Sequence, residues 1–127
     1  MEKPPVILIV EDDPALSNLY DKFFKSDGFV TLIARDGAVG LERATKEKPD
    51  IILLDMNLPL LNGLEVFEKL VADPITKKIP VVFLTNVAED EARKRALDLG
   101  AKDYLAKAQF APEEIVLKVK KYIGLLN

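Results

Sequence analysis

Five short apolar runs alternate with longer amphipathic stretches along this chain of 127 residues. The runs predicted to form strands cover residues 6–10, 29–34, 50–54, 80–85 and 103–106. Three of them are almost wholly apolar, which is typical of strands that are covered on both faces. This alternation of strand and helix signals most strongly restricts the fold.

The stretches between the runs have helical signals. The first has an apolar stripe at i, i+3, i+4, i+7 and i+8, with Asp13 as the predicted N-cap, Pro14 at the first helical position and Gly28 as the stop. The stripe consists of Leu16, Leu19, Tyr20, Phe23 and Phe24. The other helices are predicted at about 37–48, at 63–72, at about 89–99 and from residue 112 onward.

Five consecutive βα units predict one α/β domain over residues 1–127, with a parallel sheet, helices on both faces and right-handed crossovers. In such sheets, ligands bind beyond the carboxyl ends of the strands, where the strand order reverses.

Composition excludes several function classes. The chain has no cysteine and no histidine, so disulfides, thiolate chemistry and a Ser-His-Asp triad are excluded. Its net charge of -3 argues against direct nucleic-acid binding. The first five residues do not resemble a signal peptide, and no apolar run reaches about 18 residues. We therefore expect a cytoplasmic protein that does not enter a membrane.

Polar side chains follow the predicted strands at their carboxyl ends. Glu11 and Asp12 follow the first strand, and Asp55 follows the third. Carboxylates that are close together repel one another unless a cation lies between them. Oxygen ligands without histidine or cysteine favour Mg²⁺. Thr85 at the end of the fourth strand and Lys107 after the fifth would suit the oxygens of a phosphoryl group.

These motifs, in this order, resemble the receiver domain of two-component response regulators, of the CheY-like type. The resemblance covers nearly the whole chain and implies a flavodoxin-like fold with strand order 2-1-3-4-5 and five helices. It is carried by the residues Val10-Glu11-Asp12-Asp13, Asp55-Met56-Asn57-Leu58-Pro59, Gly63, Leu84-Thr85, Gly100-Ala101-Lys102-Asp103-Tyr104-Leu105 and Lys107.

The resemblance implies a role for each matched residue. Asp55 is expected to accept a phosphoryl group from a sensor histidine kinase or phosphotransfer protein. Lys107 and Thr85 are expected to bind phosphoryl oxygens, and Tyr104 to turn as Thr85 moves. The metal ligands are expected to be Glu11, Asp12, Asp55 and the backbone carbonyl of Asn57, with Mg²⁺ as the cofactor. The domain would catalyse its own phosphorylation and slow dephosphorylation without being a metabolic enzyme.

The resemblance also implies partners and a mode of output. The surface of the fourth helix, fifth strand and fifth helix is expected to contact a downstream protein target. The chain is expected to be stand-alone and to be a monomer or a weak, phosphorylation-dependent dimer. Asn57 and Val87 are expected to flank the site and to influence water access.

Four residues depart from the family pattern. Ala108 replaces the usual proline after the lysine, which puts the loop from Lys107 to Ala111 and the reach of Lys107 in doubt. Asn86 replaces a small residue after the threonine, so it either narrows access to Asp55 or hydrogen-bonds the phosphoryl group. Leu58 is a near-neutral replacement for methionine, and Asn62 is able to shape the turn before the third helix as aspartate does.

Simpler readings remain for single residues. Lys107 could simply form a salt bridge with the acidic cluster. Tyr104 could be a fixed residue of the fifth strand that does not switch.

Two other functions remain. A pseudo-receiver that binds its partner without phosphorylation is compatible with Ala108 and Asn86. A flavodoxin-like electron carrier has the same fold. Its flavin phosphate needs a loop after the first strand that is rich in glycine and hydroxyl groups, whereas this chain has the acidic segment Glu11-Asp12-Asp13-Pro14 there. The phosphoacceptor interpretation requires that the carboxyl groups of Asp12 and Asp55 lie close enough to share an ion, and that Asp55 is not sealed from solvent.

Overall fold

Five strands alternate with five α-helices in the computed structural model, which describes residues 3–86 and 89–125. The strands are β1 (Val6–Val10), β2 (Val30–Ala34), β3 (Ile51–Asp55), β4 (Val81–Thr85) and β5 (Asp103–Ala106). The helices are α1 (Pro14–Ser26), α2 (Gly37–Glu47), α3 (Gly63–Ala72), α4 (Asp90–Asp98) and α5 (Pro112–Tyr122). A short 3-10 turn, Lys107–Gln109, lies between β5 and α5.

The strands form one parallel sheet in the order β2-β1-β3-β4-β5, which confirms the predicted fold. Side chains of α2, α3 and α4 pack on one face of the sheet, and side chains of α1 and α5 pack on the other. The strand order reverses between β1 and β3. The carboxyl ends of these two strands are therefore where a ligand site is expected.

The ends of the predicted elements differ from the structure by one residue at several places. Pro80 precedes β4 because it has no N–H, although its carbonyl accepts a hydrogen bond from the Ile52 N–H at 2.9 Å. Asp55 is the last residue of β3 rather than the first residue after it. Helix α2 ends before Lys48, whose φ of 45° lies in the left-handed region.

The predicted ends of α1 are confirmed, but its apolar stripe is narrower than predicted. The Asp13 side chain accepts a hydrogen bond from the Ala15 N–H at 2.9 Å, and Gly28 follows the helix with a φ of 90°. Leu19 was predicted to face the core, yet it is 39% exposed. Tyr20 and Phe24 are buried. The face of α1 that carries them therefore packs on the sheet, and Leu19 lies at the edge of this contact.

Phe83 anchors the core on the face covered by α3. Its side chain is fully buried and packs edge-on against Phe67, with 5.3 Å between ring centroids, and against Tyr104 at 5.7 Å. We expect Phe83→Ala to lower the free energy of unfolding by about 3–5 kcal/mol, because it leaves a large cavity. Urea denaturation measures this. Leu117→Ala, at a leucine that is 54% exposed, is the control and should change stability by less than about 0.5 kcal/mol.

Candidate functional site

The carboxyl ends of β1 and β3 bring three carboxylates together. Glu11 and Asp12 follow β1, and Asp55 ends the adjacent strand β3. Each offers one oxygen, and these oxygens lie within 4.8 Å of one another. The spacing required for Asp12 and Asp55 to share one ion is therefore met.

Lys107 supplies a positive charge to two of these carboxylates. Its Nζ lies 2.7 Å from Oε1 of Glu11 and 3.2 Å from Oδ2 of Asp55. Both carboxylates are almost fully buried, and the lysine side chain is 13% exposed. The Coulombic attraction in a pair this well shielded from water is stronger than in a surface pair, although removing both charges from water offsets part of the gain. Lys107 thus reaches Asp55 even though Ala108 stands where the family has proline.

The turn after β5 provides this reach. Lys107 is the first residue of the 3-10 turn, and its peptide bond to Ala108 is trans. The loop therefore differs from the cis-proline form that the family usually has, as the sequence suggested, but the lysine still reaches the acidic residues.

Burial and neighbouring charges shift the pKa values of two groups in the site. Burial raises the pKa of Glu11 to about 7, although hydrogen bonds from Lys107 and the Asp13 N–H act in the opposite direction. Burial lowers the pKa of Lys107, but the hydrogen bond to Glu11 and the charge of Asp55 outweigh it, so this pKa is raised. Glu11 and Lys107 therefore hold their protons more tightly than isolated side chains of the same types would.

Asp55 lies beneath other polar groups of the site. Its side chain is about 2% exposed, which is less than the sequence interpretation anticipated. Oδ1 accepts a hydrogen bond from the Asn57 N–H at 2.9 Å, and Oδ2 contacts Lys107. Both neighbours are more exposed than Asp55. The requirement that Asp55 be open to solvent is therefore not met in this structure, and a phosphodonor reaches the carboxylate only after these neighbours move.

The side chain of Asn57 has a role that the sequence did not reveal. Its Oδ1 accepts hydrogen bonds from the Asn86 N–H at 2.8 Å and from the Thr85 hydroxyl at 3.3 Å. The sequence predicted a backbone carbonyl that binds metal and an influence on water access, but not these hydrogen bonds. No sequence pattern predicts a hydrogen bond between the Asn57 side chain and the backbone N–H of Asn86, the residue after β4. Val87, predicted to flank the site with Asn57, lies outside the described residues.

Gly63 allows the loop after β3 to fold back on the site. A Cβ at this position would lie 2.4 Å from the Asp55 carbonyl oxygen and 2.7 Å from the Cα of Met56. The Gly63 N–H also donates to the Met56 carbonyl at 3.1 Å. Asn62 caps α3 by accepting from the Glu65 N–H at 2.9 Å, so it does shape this turn, as the sequence suggested.

Tyr104 is buried beside the end of the sheet. Its side chain is 4% exposed and its ring packs against Phe83. Thr85 is also buried, and it pairs with Ala106 of β5, two residues beyond Tyr104. The structure therefore has Tyr104 in an inward position, and its turning remains a prediction.

Comparison with known proteins agrees with the fold and the geometry of the site. The family model described as the response regulator receiver domain matches residues 7–120. The chain therefore belongs to the response regulator receiver domain family. This is a family of signalling domains rather than of metabolic enzymes.

Relatives extend over nearly the whole chain. Sporulation initiation phosphotransferase F of Bacillus subtilis is 35% identical over 119 residues, which span 94% of each protein. The DNA-binding dual master transcriptional regulator RpaA of Synechocystis is 38% identical over 116 residues, 91% of this chain and 48% of that protein. The chain spans about half the length of the first curated relatives it matches, RpaA among them.

A solved structure is similar over the same extent. The receiver domain of the sensor histidine kinase PA1611 from Pseudomonas aeruginosa, with a magnesium ion in its active-site cleft, has a TM-score of 0.85 and 30% identity. The match covers 96% of this chain and 99% of that domain. Family and relatives together identify this chain as a phosphoacceptor signalling domain, in preference to the pseudo-receiver alternative. No helix within residues 3–86 and 89–125 is long and apolar enough to cross a membrane.

Proposed function

We propose that Asp55 is the phosphoacceptor of this domain, with Lys107 and Thr85 as the groups that bind the phosphoryl oxygens. The observation that carries the proposal is the contact of Lys107 Nζ with Asp55 at 3.2 Å, inside a group of three carboxylates. Thr85 ends the strand next to β3, and its hydroxyl reaches Asn57, whose N–H contacts Asp55. Acceptor, cation and hydroxyl thus occupy one small region.

We propose that Mg²⁺ is held by Glu11, Asp12, Asp55 and the backbone carbonyl of Asn57. The three side chains fit this ion because they are hard oxygen donors within 4.8 Å of one another. When bound, the ion neutralises the carboxylates and the charge of the incoming phosphoryl group.

The transfer itself needs little more from the protein than position and charge. One Asp55 carboxylate oxygen forms a bond to phosphorus as the P–N bond of the donor's phosphohistidine breaks. The bonding electron pair remains on the imidazole nitrogen of the donor. Lys107 moves from its two carboxylate partners toward a phosphoryl oxygen, and this keeps its charge beside the negative charge that accumulates. Hydrolysis of the acyl phosphate by water returns Asp55 to its resting state.

The wider roles follow from the same site. We propose that residues 1–127 act as one receiver unit whose phosphodonor is a sensor histidine kinase or a phosphotransfer protein. Inward movement of Thr85, accompanied by Tyr104, would alter the surface of α4, β5 and α5 and so the binding of a downstream protein. The cytoplasm is the expected compartment, and a monomer or weak dimer the expected state.

Phosphorylation by a small donor tests the proposal directly. The purified chain is incubated with acetyl phosphate and Mg²⁺, and its intact mass is measured. We expect the mass of one phosphoryl group to be added, and this gain to disappear when EDTA removes the metal. No gain in Mg²⁺, under conditions that phosphorylate a known receiver domain, would count against the proposed function.

The ion pair of Lys107 predicts a metal-dependent stability effect. We expect Lys107→Met to lower the free energy of unfolding by about 3 kcal/mol in EDTA, because two buried carboxylates lose their cation. In saturating Mg²⁺, the difference in the free energy of unfolding between the variant and wild type should be smaller, because the metal neutralises the same carboxylates. Urea denaturation with and without Mg²⁺ measures both values. Lys102→Met, at an exposed lysine, is the control. If Mg²⁺ leaves the difference in stability unchanged, Lys107 and the metal do not act on the same carboxylates.

A further inference from the structure

The β3–β4 ladder ends in an unusual way beside the proposed phosphoacceptor. The Met56 N–H donates to the Leu84 carbonyl at 2.7 Å, as expected for parallel strands. The next donor along β4 is the Asn86 N–H, whose partner in a continued ladder would be the Met56 carbonyl. That carbonyl instead accepts from the Gly63 N–H at 3.1 Å. The Asn57 side chain supplies the missing acceptor, with Oδ1 at 2.8 Å from the Asn86 nitrogen.

One neutral oxygen thus receives two donors. The bond from the Asn86 N–H has ordinary length, whereas the 3.3 Å contact from the Thr85 hydroxyl is long for an O–H···O bond. The Asn86 contact therefore contributes most. The main chain of Asn57 meanwhile donates to Asp55 Oδ1 at 2.9 Å. Asn57 is therefore hydrogen-bonded through its main chain to Asp55 and through its side chain to two donors at the end of β4.

We propose that the Asn57 side chain is a latch that occupies these two donors in the unphosphorylated state and must leave before a phosphoryl oxygen on Asp55 takes its place. The proposal rests on the proposed function and deepens it, since it concerns regulation of the same site. A charged phosphoryl oxygen makes hydrogen bonds about twice as strong as those of a neutral amide oxygen. Asn57 is exposed, so its displaced amide exchanges these bonds for water without being buried unpaired.

The latch opposes phosphorylation by the strength of the bonds that must be broken. One ordinary neutral hydrogen bond is worth about a twofold to tenfold change in an equilibrium constant. Removal of the side-chain acceptor should therefore tighten binding of a phosphoryl mimic by about that factor. Asn57→Ala removes the latch and keeps the backbone carbonyl that is proposed to bind the metal. The side chain of Asn57 accordingly has a positioning role, because it acts through Thr85 and Asn86.

Amide NMR tests the hydrogen bond between the Asn86 N–H and the Asn57 side chain in the unphosphorylated protein. In Asn57→Ala, the Asn86 amide proton should shift upfield and exchange faster with solvent than in wild type. Asn57→Asp retains an acceptor oxygen and makes it charged, so the Asn86 amide should stay protected from exchange and its proton should shift downfield of the wild-type position. Asn62→Ala is the matched control on the same loop, because Asn62 caps α3 and does not contact Asn86. An unchanged Asn86 amide in Asn57→Ala would overturn the latch.

Binding of beryllofluoride in excess Mg²⁺, followed by the same NMR spectra, tests the consequence. Asn57→Ala should bind about twofold to tenfold more tightly than wild type, and Asn62→Ala should bind as wild type does. An affinity of Asn57→Ala that does not exceed that of wild type would overturn the latch while leaving the proposed function standing. Failure of wild type to bind at all would instead contradict the proposed function, so the two failures are distinguishable.

Discussion

Asp55→Asn is expected to abolish phosphorylation of this chain by acetyl phosphate while leaving its fold intact. The amide has nearly the same shape as the carboxylate and retains an oxygen for the Asn57 N–H. It has no anionic oxygen to attack phosphorus, so the acyl phosphate does not form. Intact mass spectrometry in Mg²⁺ should show no detectable phosphoryl group on the variant after wild type has been fully modified. Thermal unfolding in parallel verifies that the variant is folded.

Asp98→Asn is the matched control for the loss of one negative charge. Asp98 is exposed at the end of α4, and the variant should be phosphorylated at the wild-type rate. Phosphorylation of Asp55→Asn at a comparable rate would mean that another carboxylate is the acceptor. Asp12 would then be the first alternative, since its oxygen lies within 4.8 Å of that of Asp55.

Gly63→Ala is expected to cause a large loss of stability, about 3 kcal/mol in the free energy of unfolding. A Cβ there would overlap the Asp55 carbonyl oxygen at 2.4 Å and the Met56 Cα at 2.7 Å. These are backbone atoms, so the added methyl cannot be accommodated by a change of rotamer, and overpacking of this kind costs about 1–3 kcal/mol or more. Urea denaturation measures the loss. Because the clash involves Asp55 itself, Mg²⁺ binding should weaken too.

Gly40→Ala separates this effect from the general consequences of replacing glycine. Gly40 lies within α2, and its added Cβ would approach only the side chain of Val10, at 3.1 Å. The tight contact is offset by the higher helix propensity of alanine, which is worth about 1 kcal/mol. We expect its stability to remain within about 1 kcal/mol of wild type. Equal losses for both variants would show that the close approach of Gly63 to β3 is not the cause.

The fold could be predicted from the sequence because its signals are local. Apolar runs at β1, β3 and β4 correspond to the strands that are buried on both faces, and the cap at Asp13 fixed the beginning of α1. Predictions failed where packing rather than periodicity decides. Leu19 fits the helical stripe but lies at the edge of the α1 contact, and Lys48 continues the pattern of α2 but adopts a left-handed backbone.

The site could be predicted only as far as topology determines it. The ends of adjacent parallel strands must meet, so the proximity of Glu11, Asp12 and Asp55 follows from the strand order. The double contact of Lys107 and the hydrogen bonds of the Asn57 side chain depend on how two loops fold. No residue pattern specifies such geometry.

Localisation of the phosphoryl group is the most direct test of the central claim that Asp55 accepts it in a metal-dependent reaction. The chain is phosphorylated with acetyl phosphate, reduced with borohydride, which converts an aspartyl phosphate to homoserine, and digested for peptide mass spectrometry. The account predicts homoserine at position 55 in Mg²⁺ and none in EDTA. Homoserine at position 12 or 13, or modification of position 55 that is equally efficient in EDTA, would contradict it.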